Sequence, residues 1–312
     1  MENIKSALCS PLSKGSANSK GYFANYLGNV YGNKMNEEHR KMFERGSGSE
    51  LQSKARAVHS SSMLGYNFFS WINERHPFVW EDVTYKEVYF EVRLRTIKRS
   101  PAPANMDIVL DGINKDGKRV LLFIESKFLE YTNYDKIDLS ESYLKPDNYY
   151  IEGPWSDVAE VLVKGKDSSP SWPEVANELV LNTKYDKQYN GGIKQSFCHL
   201  VALNALQSEK ALAWFNANNV LKIDNLSDVE IRFMNAIFFP NEKFEDEHNK
   251  YREYKELYEC FMRFIERIAP YSVQPKWFSY SDIWKQMKSQ INDQDRIAFL
   301  QRRYMDFAEI RK

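Results

Sequence analysis

Cysteine is scarce: Cys9, Cys198 and Cys260 are the only three in 312 residues. They are odd in number and far apart, with no Cys-x-x-Cys spacing. That excludes a disulfide framework and a zinc ribbon and leaves free thiols as the expectation. No run approaches the ~18 consecutive apolar residues of a membrane helix, and the N-terminus carries no signal-peptide apolar core. The chain therefore reads as soluble and cytoplasmic, with no membrane partner. Net charge is missing too: lysine plus arginine number 43, as do aspartate plus glutamate, so the whole-chain field gives no pull toward nucleic acid. A glycine-rich phosphate loop, a Gly-x-Ser-x-Gly elbow and a His-Glu-x-x-His helix are all absent. Their absence removes NTPase, serine-hydrolase and zinc-protease readings and any nucleotide cofactor. His59 and His76 show no ligand spacing, and there is neither an internal repeat nor a low-complexity tract.

What is present is a hairpin with acids at one end. Apolar runs near Met106 to Ile113 and Arg119 to Phe128 carry Val, Ile and Phe and flank Lys115-Asp116-Gly117, so they read as two strands joined by a turn. A three-residue loop with glycine in the left-handed position sets Asn114 opposite Lys118 and, counting outward, Asp107 opposite Glu125. Strand alternation then puts Lys127 on the side of Glu125 and turns Ser126 away. A two-residue Asp116-Gly117 loop would instead pair Asp107 with Ser126 and scatter the cluster unless a bulge corrected it. The first register is the favoured one.

Along the rest of the chain, residues 1–48 are rich in Ser, Gly, Asn and Lys and read as an arm, with a short helix near Glu37 to Phe43. Ser49 is placed to cap a helix from Glu50, and Met63, Leu64, Asn67, Phe68, Trp71 and Ile72 recur at helical spacing before His76-Pro77. Lys86 to Ile97 alternates as a half-buried strand. Residues 130–172 are polar and tyrosine-rich, an insertion over the sheet edge that could gate a site. Pro173 can begin a short helix. Beyond Gly191-Gly192, Ile193, Phe197, Leu200, Val201 and Asn204 trace one face of a helix that carries Gln195 and His199. Val229, Ile231 and Phe233 mark a last strand running to Pro240, where the sheet is expected to end. From Glu242 the chain turns helical, with a stripe from Tyr251 to Ile268 and shorter patterns near Asp282 to Ile291 and Asp293 to Ile310. The expected organisation is an arm at 1–48, a core at 49–240 and a helical C-terminal region at 241–312 packed on that core.

The acid pair suits Mg²⁺, a hard cation held by one or two carboxylates with water and substrate phosphate completing its octahedron. Asp107 and Glu125 would hold it, and Lys127 would orient the attacking water and offset developing charge. The acid-x-lysine pattern alone is weak, for it recurs at Asp116-Gly117-Lys118 and Glu253-Tyr254-Lys255 in a chain that is 28% charged. Only Glu125-Ser126-Lys127 ends an apolar strand with an acid facing it. Just upstream, Arg93, Arg95, Lys98 and Arg99 form a local basic segment, either a nucleic-acid contact or a solvated strand edge.

The order helix, three strands with Asp107 on the second and Glu125-x-Lys127 on the third, then a helix with Gln195 and another strand, resembles the PD-(D/E)XK nuclease superfamily over about residues 50–240. More narrowly, Ser60-Ser61-Ser62, Tyr66-Asn67-Phe68-Phe69, Phe90-Glu91, Ala104-Asn105-Met106-Asp107 and Ile124-Glu125-Ser126-Lys127-Phe128 resemble an uncharacterised bacterial group classed with the restriction endonucleases on its motifs. The resemblance implies an α/β, restriction-endonuclease-like mixed central sheet flanked by helices. It also implies Mg²⁺-dependent hydrolysis of DNA, with Mn²⁺ able to substitute, Asp107 and Glu125 on the metal and Lys127 assisting water. Gln195 falls where several branches place a glutamine that positions water or phosphate, although those branches often follow it with tyrosine four residues on, where this chain has His199. Met106 stands where the superfamily name has proline. Glu91 or Glu74 would supply a further upstream acid, with Glu91 preferred from its place on the preceding strand. DNA is the expected partner and a homodimer would suit paired cuts. A non-catalytic DNA-binding or protein-interaction module keeping the same fold, and an RNA nuclease, are the alternatives.

Overall fold

A computed structural model describes residues 4–9, 17–46, 50–99, 102–132, 139–164 and 192–309. At its centre is a six-stranded mixed sheet in the order β1-β2-β3-β4-β5-β6: β1 (Phe78–Trp80), β2 (Val83–Leu94), β3 (Ala104–Asn114), β4 (Arg119–Lys127), β5 (Val229–Ile237) and β6 (Pro275–Ser279). The first four strands pair antiparallel, while β5 runs parallel to β4, and β6 parallel to β5. The helices are α1 (Ile4–Cys9), α2 (Glu37–Arg45), α3 (Ser61–Phe69), α4 (Trp155–Lys164), α5 (Ile193–Ala205), α6 (Glu209–Asn218), α7 (Glu245–Ile268), α8 (Tyr280–Met287) and α9 (Gln294–Arg303). None is long and apolar enough to cross a membrane.

The β3–β4 hairpin adopts the favoured register. Gly117 takes φ +81°, Asn114 N–H donates to the Lys118 carbonyl at 2.9 Å, and Asn114 Oδ1 accepts from the amides of Asp116 and Lys118. The pairing Ile108 with Ile124 through Ile113 with Arg119 follows from that turn. Strand β4 is buried on both faces from Val120 to Lys127, as a strand with helices above and below must be.

Those two layers are distinguishable by their contacts. On one face Ser126 donates its hydroxyl to the Ser61 carbonyl of α3 at 2.9 Å, and Tyr280 of α8 lies 2.6 Å from the same oxygen. On the other face α5 packs across β2, β3 and β5, with Ser196 Oγ donating to Asn235 Oδ1 at 3.1 Å. Helix α7 packs on that side too, its Tyr251, Tyr254 and Tyr258 clustering around Trp277 of β6.

Several expectations change. The sheet does not end at Pro240: β6 extends it, a five-residue edge strand opening on proline and too short to show alternation. The first core helix begins at Ser61, not Glu50, because Ser60 caps it by accepting from Met63 N–H. Ser49 lies outside the described residues, as does the helix start at Pro173. Residues 139–164 are less an edge insertion than a packed layer, for Trp155, Val158, Ala159 and Leu162 of α4 are buried and Trp155 meets Phe197 of α5. The described parts of the N-terminal segment are tied down. Buried Arg303 of α9 donates to the Leu8 and Val58 carbonyls and to Asn29 Oδ1.

Candidate active site

At the Lys127 end of β4, side chains from β2, β3, β4 and α5 line a cleft of about 520 Å³. Lys127 is its pivot. The ammonium donates to Glu125 Oε1 at 2.5 Å and to Gln195 Oε1 at 2.6 Å, so the end of β4 and the first turn of α5 are joined through one cation. Gly192 permits this approach. It caps α5 at φ +105°, and a Cβ there would stand 3.0 Å from Lys127 Cε and 2.9 Å from Tyr254 Oη.

Asp107 sits across the hairpin from Glu125, one step beyond the Ile108–Ile124 pair. Its Oδ2 accepts the Ser126 N–H at 2.7 Å, which holds the carboxyl against the strand end. Burial and then the neighbouring Glu125 push this carboxyl well above the ordinary aspartate range, despite the opposing Lys127 ammonium. Lys127 goes the other way from most buried lysines. Burial pulls it down, but Glu125, Glu130 and Asp107 more than offset that and raise it above its usual value. It is a fixed positive charge at neutral pH.

Glu91 joins the cluster from β2. It is the residue between Phe90 (paired with Ile108) and Val92 (paired with Met106), and its backbone takes φ +52°, a left-handed conformation uncommon outside glycine and costly inside a strand. The kink turns its carboxylate to accept from Asn105 Nδ2 at 3.1 Å. Burial first, then Glu50, push Glu91 up to about 7. Five carboxylates line the cleft (Glu50, Glu91, Asp107, Glu125, Glu130) against three lysines (Lys54, Lys127, Lys194). A surplus of clustered acids, with Glu91 and Glu125 buried, fits a hard divalent cation. Among the described residues, however, no three His, Cys, Asp or Glu side chains converge as a ready metal-ligating set. The fit is for a cation held by the Asp107 and Glu125 carboxylates with other oxygens from water or substrate; Glu91 is drawn to Asn105 rather than into a third ligand position.

His199, on the turn of α5 after Gln195, is buried against Glu125. Its Nε2 lies 3.1 Å from the Asn105 carbonyl and its Nδ1 3.4 Å from Glu125 Oε2. Burial, aided by the Lys127 charge, pulls the imidazole below its ordinary value although Glu125 opposes this.

The remaining expected residues fall elsewhere. Glu74 is exposed in the turn before β1 and does not line the cleft. Arg93 and Arg95 stack over Trp214 of α6 at 5.6 and 5.4 Å, beside the cleft rather than in it. Lys98 and Arg99 are exposed, and Lys98 Nζ donates to the Asp147 carbonyl. Sequence reasoning missed Glu50, Lys54, Glu130 and Lys194, whose places depend on loops and helix starts with no motif of their own. Comparison with protein-family models, with curated proteins and with solved structures finds no match.

Proposed function

We propose that this protein is a metal-dependent nuclease with a restriction-endonuclease-like core, hydrolysing phosphodiester bonds in DNA in a restriction or defence role, with Mg²⁺ as cofactor and Mn²⁺ able to substitute. The observation that carries the reading is the meeting of Asp107, Glu125, Lys127 and Gln195 at one strand end, with Lys127 Nζ bridging Glu125 and Gln195. The order α3, β2, β3, β4, then α5 and later β5, supports the reading, although α4 and α6 also lie between β4 and β5.

In this reading the Asp107 and Glu125 carboxylates hold the cation. When bound it polarises a phosphoryl oxygen and lowers the pKa of a water. Lys127, fixed by two acceptors and charged at neutral pH, presents its remaining N–H to a water or to a phosphoryl oxygen as negative charge develops there. Gln195 keeps its amide N–H groups available to orient that water while its carbonyl anchors Lys127. Asn105 holds Glu91 beside them. Burial of Glu125 and Lys127 keeps bulk solvent from screening these charges. Lys98 and Arg99, exposed beyond the end of β2, would meet the phosphate backbone outside the cleft. Two copies would be needed for simultaneous cuts across a duplex.

The test is cleavage of supercoiled plasmid by wild type and Asp107→Ala in Mg²⁺, Mn²⁺ or EDTA. Metal-dependent nicking by wild type alone is the expected result; equal nicking by Asp107→Ala would overturn the site. The lack of a three-ligand group among the described residues favours, as second reading, a non-catalytic DNA-binding or interaction module. That reading expects no cleavage and no divalent-ion binding by wild type.

A further inference from the structure

His199 and Glu125 face each other with nothing between them. The Asn105 carbonyl can only accept, so His199 Nε2 must carry the proton it donates there at 3.1 Å. In the neutral ring Nδ1 then presents a lone pair 3.4 Å from Glu125 Oε2. Neither atom has a hydrogen-bond partner, and both are closed to solvent. Two buried lone pairs at that separation repel unless a cation stands between or beside them.

The geometry is that of a shared ion. Two ligand atoms each ~2.1 Å from a metal lie roughly 3.0 Å apart at a right angle and about 3.4 Å apart at the tetrahedral angle. The second ring nitrogen is anchored in the way metal-ligating histidines commonly are, by donation to a backbone carbonyl that fixes tautomer and ring orientation. The carbonyl belongs to Asn105, two residues before Asp107 on β3, and the same residue's amide holds Glu91. One residue thus aims both the imidazole and an acid at the cleft. Lys127 occupies Glu125 Oε1 and leaves Oε2 for this role.

We infer that His199 Nδ1 and Glu125 Oε2 are joint ligands of the cation, making the site a mixed nitrogen and oxygen site that prefers a first-row transition ion to Mg²⁺. Carboxylates alone suit Mg²⁺; an imidazole nitrogen shifts the balance toward ions further along the Irving–Williams order. The inference rests on the metal-site reading above and goes beyond it in pairing Glu125 with an imidazole and naming the ion class; Asp107, Glu125 and His199 do not stand as a preformed three-ligand set.

The experiment measures binding and coordination, not cleavage. Wild type, His199→Gln and Asp107→Ala are titrated calorimetrically with Mg²⁺, Mn²⁺ and Co²⁺. Electron spin echo modulation is then recorded on the Mn²⁺ complexes of wild type, with and without ¹⁵N-histidine. Gln can keep the donation to Asn105 while removing the ligand nitrogen. Expected are Co²⁺ binding at least ~10-fold tighter than Mg²⁺ in wild type and histidine-nitrogen modulation that shifts with the label. His199→Gln should lose about 10-fold or more in Co²⁺ affinity, with Mg²⁺ affinity little changed. Mn²⁺ that binds wild type and is lost in Asp107→Ala, yet shows no histidine modulation, overturns this inference and leaves the carboxylate site standing. Failure of every ion to bind wild type removes both.

Discussion

Gln195 Oε1 accepts from Lys127 Nζ at 2.6 Å, so a helix residue with no charge holds a cation buried among the cleft's acids. Replacing Gln195 with Ala leaves the Lys127–Glu125 pair intact but removes its second anchor. DNA cleavage should fall by about 10-fold or more, in line with the loss of a positioning contact, while the thermal midpoint and metal affinity change little. An unchanged cleavage rate would show that Lys127 needs no help from α5.

Lys127 itself is a harsher case. The residue is 4% exposed, and its removal takes away the buried ammonium that offsets Glu125, Glu130 and Asp107. Lys127→Ala should abolish measurable cleavage and cost about 3 to 5 kcal/mol, the usual penalty for breaking a buried pair. Urea denaturation near pH 8 measures the loss. Lowering the pH should recover part of it by protonating Asp107, whose carboxyl burial and Glu125 already hold above its usual range; a pH-independent loss would mean that lost packing, not charge, is responsible.

The hairpin end of this site was legible because a loop of three residues, closed by a left-handed glycine, leaves a strand pair no choice of register. Asp107, Glu125 and Lys127 could therefore be counted into place. Gln195 was legible only through the resemblance, for it is exposed and lies off the face of α5 that Ile193 and Phe197 bury. Glu91 was only half legible: alternation placed it on β2, but the left-handed kink that aims it is a tertiary effect. Edge strands β1 and β6, of three and five residues, are too short for a period to show, and α6 sits between loops without a strong stripe. The basic segment was legible as sequence and not as geometry, for Trp214, which stacks on Arg93 and Arg95, lies over a hundred residues further on.

Glu91 gives a pH signature. Burial and Glu50 raise its carboxyl from 4.5 to about 7, so between those values the folded protein keeps a proton that the unfolded chain has lost. The folded state binds more protons there, and stability falls as pH rises. The contribution is fully present below about 4.5 and lost on passing 7, a span worth roughly 3 kcal/mol. Glu91→Gln, which cannot ionise, should flatten the stability curve through this window and be the more stable protein near pH 8. Parallel curves for the two proteins would remove Glu91 from the coupled cluster.

Asp107 follows the same sign. Held well above its usual range by burial and Glu125, it costs stability when ionised without a cation. Asp107→Asn can still accept the Ser126 N–H. Near pH 8 in EDTA it should be more stable than wild type, because wild type must there ionise a carboxyl that burial and Glu125 hold above its usual range. Adding Mn²⁺ should raise the wild-type melting midpoint and leave that of Asp107→Asn where it was. A matching metal-induced rise in both proteins would place the cation away from Asp107.

Gly192 tests whether the approach of α5 to β4 matters. Its φ of +105° is strained for any residue with a Cβ, and that Cβ would come within 2.9 Å of Tyr254 Oη and 3.0 Å of Lys127 Cε. Neither neighbour can give freely. Tyr254 is fully buried, stacked 6.1 Å from Tyr131 and tilted against Trp277 at 5.3 Å, and Lys127 is held at its tip by Glu125 and Gln195. Gly192→Ala should therefore cost on the order of 1 to 3 kcal/mol. It should also lower cleavage more than Gln195→Ala does, because it shifts the lysine stem instead of only loosening its head. A drop in stability with cleavage intact under conditions where the variant is fully folded would mean that the backbone of α5 absorbs the strain and that Lys127 keeps its place.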